Sequence, residues 1–297
     1  MAHIRTKKIW EHNAPAPTDE TAYWRRREFL SAVGLAGLAG TAWGGIALAG
    51  SSANIQAISD PSRPPPGNFV EFSAWHAEAA AQAQALDTRD WPITIDGLVE
   101  HPLTLQAGDL IAGLQQEERS YRFRCIEGWS ATVPWTGFPL RALLERVKPL
   151  SGARYVRFES FNLPEIAPVQ ASGYYSAWPY GETLSLREAA HELTFLASGV
   201  YGKPLPTSHG APLRLVVPWK YATKSVKSIT RIRVLDTPLP GFWETNRPSM
   251  SDPLCNVDPN YAHTRIPQHQ ELCIGTGEWR ETLPLNGYAE WVNALYV

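Results

Sequence analysis

Short runs of alternating apolar and polar residues, cut by glycine and proline, constrain this chain more than any other feature. Trp91-Pro92-Ile93-Thr94-Ile95 alternates and is followed by an Asp96-Gly97 turn, and Leu103-Thr104-Leu105 comes next. Arg122-Phe123-Arg124-Cys125, Arg154 to Phe158, Leu193 to Ala197, Leu213 to Val217 and Ile229 to Leu235 read the same way. A period of two places successive side chains on opposite faces of a strand. The chain holds 25 prolines and 12 tryptophans, a composition that disfavours long helices and disorder. Leu140 to Val147 carries apolar residues at helical spacing, and Ser185-Leu186-Arg187-Glu188 is a capping box opening a helix through His191. The expected fold class is α+β, mostly β, with mixed sheets and short helices. A second sheet-rich half is expected to begin near residue 240, although no linker marks it.

Charge narrows the function. The net charge is -2 over the 297 residues. Duplex nucleic-acid binders are basic, so that class is excluded. Three cysteines are too few for a disulfide framework. There is no CxxC pair, HExxH or Walker-type loop.

The amino end reads as an address. Trp24-Arg25-Arg26-Arg27-Glu28-Phe29-Leu30 precedes a glycine-diluted apolar run from Ser31 to Gly50, ending near Ala47-Leu48-Ala49. Arg26-Arg27-Glu28-Phe29-Leu30 resembles the twin-arginine export motif, with Arg25 and Ser31 departing from the usual residues. Residues 1–50 are therefore expected to be an export signal leading to the periplasm, and a retained membrane anchor is the competing reading. Residues 51–67, rich in proline, form a linker, and the folded body spans 68–297.

Within the body, Tyr121, Phe123 and Cys125 share one strand face, expected to point inward, and Arg122 and Arg124 share the other. A lone thiolate suits a transition metal whose other ligands come from a second molecule; a buried structural cysteine is the bland alternative. Between Ser208 and Ile229 lie Arg214, Lys220, Lys224, Lys227, Ser225 and Ser228, the composition of a phosphate cradle. A solvated basic face is its alternative.

These segments resemble a known family. Tyr121 to Cys125 with Glu127 and Trp129, Val133-Pro134-Trp135, and Gly137 to Leu140 look like the cysteine segment of the periplasmic protein-methionine-sulfoxide reductase catalytic subunits. Those are molybdopterin enzymes of the sulfite oxidase-like fold. Val200 to Pro206, Gly210 to Arg214, Val217 to Tyr221, Lys227 to Ile229, Asn68-Phe69, Glu71-Phe72, Asn256 to Pro259 and Asn286 to Ala289 match in order. The resemblance implies a molybdenum-molybdopterin cofactor with Cys125 as the metal ligand. It implies cofactor contacts from Asn68, Val70, Glu71, Ser160, His209, Arg214, Ser225, Val226 and Lys227. It implies reduction of methionine sulfoxide in oxidised proteins, with electrons from a membrane haem-b subunit. An open site lined by Trp129 and Trp135 would suit a protein-bound substrate.

Two positions depart from the pattern. Gly67 replaces an Asn contact. His209 also replaces an Asn, as in sulfite oxidases, which keeps sulfite oxidation open. The segment after Cys125 instead lacks the arginines those enzymes place near their anion. A metal-free hydrolase pairing Cys125 with His209 and a cofactor-free exported binding module are alternatives of other classes. Cys255 and Cys273 are either a disulfide across a loop or two separate thiols.

Overall fold

The computed structural model describes residues 8–11, 15–24, 70–74, 76–263 and 265–297. The paired arginines, the apolar run, the proline-rich linker and Asn68 lie outside the described residues. Among the described residues no helix is long and apolar enough to cross a membrane.

Two mixed sheets carry the body. The first runs β2-β1-β10-β5-β6, built from β1 (Pro92–Gly97), β2 (Leu103–Gln106), β5 (Tyr155–Glu159), β6 (Gly181–Ser185) and β10 (Arg231–Leu235). Only β1 and β10 pair in parallel here; the other neighbours are antiparallel. The second runs β12-β11-β4-β7-β8, from β4 (Trp129–Pro139), β7 (Phe195–Val200), β8 (Lys203–Pro204), β11 (Gln270–Cys273) and β12 (Trp279–Glu281). In addition β3 (Glu117–Arg124) pairs with β4, and β9 (Arg214–Val216) pairs with β7. Mostly-β mixed sheets with a few short helices match the expected fold class. The helix at Leu140–Val147 falls where periodicity places it, and the second helix opens where its capping box places it but ends at Ala189, short of the expected His191. The second is capped by Ser185, whose hydroxyl accepts from the Glu188 N–H.

Strand β4 organises the second sheet. Along one edge it pairs with β3 from Arg124↔Ser130 to Glu117↔Gly137. Its other edge is shared, with β11 opposite Trp129 and Ser130 and β7 opposite Trp135 to Pro139. Nine of its eleven residues are buried, Thr136 and Pro139 being the partly exposed ones. Burial on both faces erases the apolar-polar alternation.

The expected second half near residue 240 is corrected. The strands after that point, β11 and β12, extend the second sheet through the β11–β4 pairing. Ile274, Tyr288 and Val292 of this segment join the same apolar core as the residues of β4.

Candidate active site

Cys125 stands at the turn of the β3–β4 hairpin. Its N–H donates to the Trp129 carbonyl at 3.0 Å, and its carbonyl accepts from the Gly128 N–H at 3.2 Å. Gly128 has φ +88, the left-handed residue that closes such a tight turn without strain. Beneath the loop, Arg124 is fully buried. Its guanidinium donates to the Cys125 carbonyl, to Gln268 Oε1 at 3.1 Å and to the Gln270 carbonyl at 3.3 Å. Its Nε lies 2.9 Å from Glu271 Oε2, an ion pair not aligned as a hydrogen bond. Glu271, also fully buried, pairs with Arg122 at 3.2 Å and Arg280 at 2.6 Å.

On the opposite face of the hairpin Tyr121, Phe123 and Cys125 are buried, as the alternation requires. Phe123 packs against Trp129 and Trp135 at centroid distances of 6.1 and 5.9 Å. Both tryptophans are at most 1% exposed. They form a closed wall beside the cysteine, not the open platform expected for them. Arg122 and Arg124 share the other face, as the alternation requires, and Glu271 gives that face a buried counter-charge.

Residues 208–229 leave the second sheet and enter the first, and they build the cradle between. Gly210 has φ +101, and a Cβ there would lie 2.8 Å from the Lys227 Cβ and 3.1 Å from the Arg214 Cβ. The backbone turns over this point because Ser228 N–H donates to the Gly210 carbonyl at 3.1 Å. Arg214 donates to the His209 carbonyl at 3.0 Å. Its guanidinium lies 4.9 Å from the Trp135 ring centre and 5.5 Å from that of Phe123, a cation–π arrangement. The cysteine loop and the cradle therefore share one aromatic wall.

From the other side Glu71 enters, with no exposed surface and Oε1 4.0 Å from Lys227 Nζ. Neither carboxylate oxygen has a hydrogen-bond partner among the described residues. Burial pushes this carboxyl above the usual carboxylate range, against the opposing pull of Lys227 and then Arg214. Gln170 fixes its backbone, Nε2 donating to the Glu71 carbonyl at 2.9 Å. Ser160 Oγ donates to the Lys227 carbonyl at 2.7 Å. Ser225 Oγ accepts from the Val217 N–H at 3.3 Å, while Val226 is fully buried and Val70 packs against the core. The structure thus gathers Glu71, Ser160, Arg214 and Lys227. Ser225 and Val226 supply the backbone frame beneath them.

Two of the expected cradle cations belong elsewhere. Lys220 Nζ lies 2.6 Å from Glu188 and donates to Asn256 Oδ1 at 2.8 Å. Lys224 Nζ bonds Glu182 at 3.0 Å and the Pro253 carbonyl at 2.7 Å. Both ammonium groups are buried and already neutralised, so they hold the fold. Gln170, Gln268 and Glu271 are supporting residues that sequence reasoning missed; nothing local distinguishes them from surface polar residues.

His209 Nδ1 sits 3.1 Å from Ser208 Oγ, and its ring meets Trp24 edge-on at 4.5 Å. Cys255 and Cys273 are separate free thiols. Cys255 donates to the Asp252 carbonyl at 3.0 Å, and burial pushes its thiol up to about 11.

The sequence profile of the oxidoreductase molybdopterin binding domain matches residues 79–243. Among solved structures, the sulfane dehydrogenase SoxCD from Paracoccus pantotrophus is similar at 21% identity and a TM-score of 0.43, the match covering 52% of this chain. It spans 40% of the length of that chain.

The residues present fit a molybdopterin. Glu71 offers buried acceptor oxygens to ring N–H donors, and Arg214 and Lys227 offer cations to a phosphate. Among the described residues no three His, Cys, Asp or Glu side chains gather into a metal site.

A carboxyl whose folded-state pKa is raised binds its proton more tightly in the folded chain. Its contribution to stability falls as pH rises from the unfolded value through the folded one. Glu71→Gln is thus expected to raise the melting temperature of cofactor-free protein at pH 7 and to lower the pterin retained on purification. Unchanged pterin content would remove Glu71 from the cradle.

Proposed function

Since the chain belongs to the oxidoreductase molybdopterin binding domain family, we propose that it reduces the sulfoxide of oxidised methionine in exported proteins, with Cys125 as the protein ligand to molybdenum. The observation that carries this reading is the placement of a buried thiol on a rigid hairpin that shares its aromatic wall with the Arg214–Lys227–Glu71 cradle. When bound, the cofactor supplies oxygen-atom transfer, and the protein supplies orientation and electrostatics.

Arg124 and the Gly128 turn fix the direction of the Cys125 backbone, so the thiolate is delivered without reorganisation. Phe123, Trp129 and Trp135 exclude water behind it. The segment directly after Cys125 carries no arginine, which supports a neutral sulfoxide over an anion, and Arg214, farther along the same wall, donates to the His209 carbonyl in the cradle. Methionine sulfoxide is a reversible lesion, so a repair reaction consumes it usefully. The chain has no haem motif of its own. Its resemblance to the periplasmic reductases supports a membrane haem-b subunit as electron donor.

His209 favours a second reading, sulfite oxidation on the same fold. The two separate in one assay of purified protein. Reduced-dye oxidation by methionine sulfoxide is expected, with sulfite-dependent acceptor reduction at least tenfold slower. Cys125→Ser is expected to abolish the first activity while keeping the wild-type melting temperature within a few degrees. Faster turnover of sulfite would establish the second reading, and a fully active Cys125→Ser would remove the proposed ligand.

The twin-arginine resemblance supports export of the folded, cofactor-loaded protein to the periplasm. Replacing Arg26 and Arg27 by Lys is expected to hold the protein in the cytoplasmic fraction. Undiminished periplasmic accumulation would exclude that route.

A further inference from the structure

Strand β4 has one backbone rung that the body leaves to another occupant. On the edge opposite β3, the Ser130 carbonyl accepts from the Ile274 N–H at 2.9 Å and the Pro134 carbonyl from the Tyr201 N–H at 3.0 Å. Between them Thr132 is buried, in the interval that neither β11 nor β7 reaches. The amino-terminal segment fills it. Thr18 N–H donates to the Thr132 carbonyl at 2.8 Å, and Thr18 Oγ1 accepts from the Thr132 N–H at 2.9 Å. The Thr18 carbonyl in turn accepts from the Tyr201 hydroxyl at 2.9 Å.

The segment then runs towards the cradle. Glu20 pairs with Lys203 at 2.7 Å. Tyr23, 2% exposed, lies 5.6 Å from the Tyr201 ring and 5.9 Å from the His209 ring. Trp24 closes on His209 at 4.5 Å, with its ring nearly perpendicular. The His209 carbonyl is the one held by Arg214. A chain lying in this groove therefore enters by a main-chain rung on β4 and leaves at the lip of the cofactor cradle.

We propose that this groove docks polypeptide, that residues 15–24 occupy it in cis, with a non-helical stretch over 15–19 on β4 and one helical turn at Glu20–Trp24 against His209, and that the chain flanking the oxidised side chain of a protein substrate takes their place. The second half of this inference rests on the proposed sulfoxide reductase function. The main-chain N–H and C=O of residue 18 are held whatever its side chain, which suits an enzyme acting on many different proteins, and the Thr18 hydroxyl adds a bond to the Thr132 N–H that favours Ser or Thr there. The aromatic end, with Tyr201 and His209, supplies an apolar seat next to the reaction centre. Residues 15–24 belong to the expected export signal, so they cover the groove in the full chain before export and leave it to substrate once the signal is parted from the body.

The test uses the full chain carrying Thr18→Pro and Trp24→Ala, which remove the rung donor and the ring on His209 without touching the body. The probe is a fluorescently labelled synthetic peptide of residues 15–24. The substituted chain is expected to bind it at least tenfold more tightly than the unsubstituted chain, and the same peptide with Thr18→Pro is expected to bind neither. An oxidised, unfolded protein of unrelated sequence should displace the probe. Its KM should fall several-fold in the substituted chain, with kcat and KM for dimethyl sulfoxide unchanged. Equal or absent probe binding by the two chains overturns the groove. Probe binding that oxidised protein fails to displace overturns the substrate assignment. Displacement without turnover of any sulfoxide would uphold the polypeptide groove while removing the proposed reaction.

Discussion

Everything at the site depends on one buried carboxylate. Glu271 has no exposed surface and is shared by Arg124, Arg122 and Arg280. Removing charges from water is costly, and such clusters seldom raise stability over a well-packed apolar core. What this one supplies is direction. Arg124 is held from below by Glu271 and from the side by Gln268, and it reaches up to the carbonyl of Cys125. Deleting the carboxylate would leave a buried guanidinium uncompensated, a loss of about 3–5 kcal/mol. Glu271 also lies outside the segment 79–243 that carries the family match. The carboxy-terminal strands thus support the candidate site by pairing β11 with the start of β4.

The cradle shows the opposite economy. Its anionic member, Glu71, is buried 4.0 Å from Lys227 with its oxygens unbonded among the described residues. Around Lys220 and Lys224 every charge is matched by a carboxylate and by carbonyl or amide oxygens. The contrast separates fold from function. Satisfied buried ion pairs fix the loop that carries the cradle, and incompletely satisfied polar groups mark where a polar ligand belongs.

Much of this was legible in the residues. Alternation placed Tyr121, Phe123 and Cys125 on one buried face, and the capping box placed the helix at Leu186–Ala189. Glu71, Ser160, Arg214 and Lys227 came from resemblance and do converge. Strand β4 was not legible, because a strand buried on both faces has no alternation and Pro134 argues locally against pairing. The fates of Arg124, Lys220 and Lys224 were hidden for a different reason. Their partners lie far along the chain, at Glu271, Glu188 and Glu182, and spacing cannot report a tertiary ion pair. The amino-terminal segment read only as an address, yet Thr18 completes a rung of the second sheet.

The measurement that bears most directly on the account is molybdenum X-ray absorption of the purified full chain beside its Cys125→Ser variant, with pterin quantified on both. The expected result is a metal bound by one protein sulfur in addition to the two of the pterin dithiolene. In the variant the sulfur count should fall by one at unchanged pterin content. An identical sulfur count in the two proteins, or wild-type protein without molybdenum from a host that makes the cofactor, would contradict the assignment of Cys125.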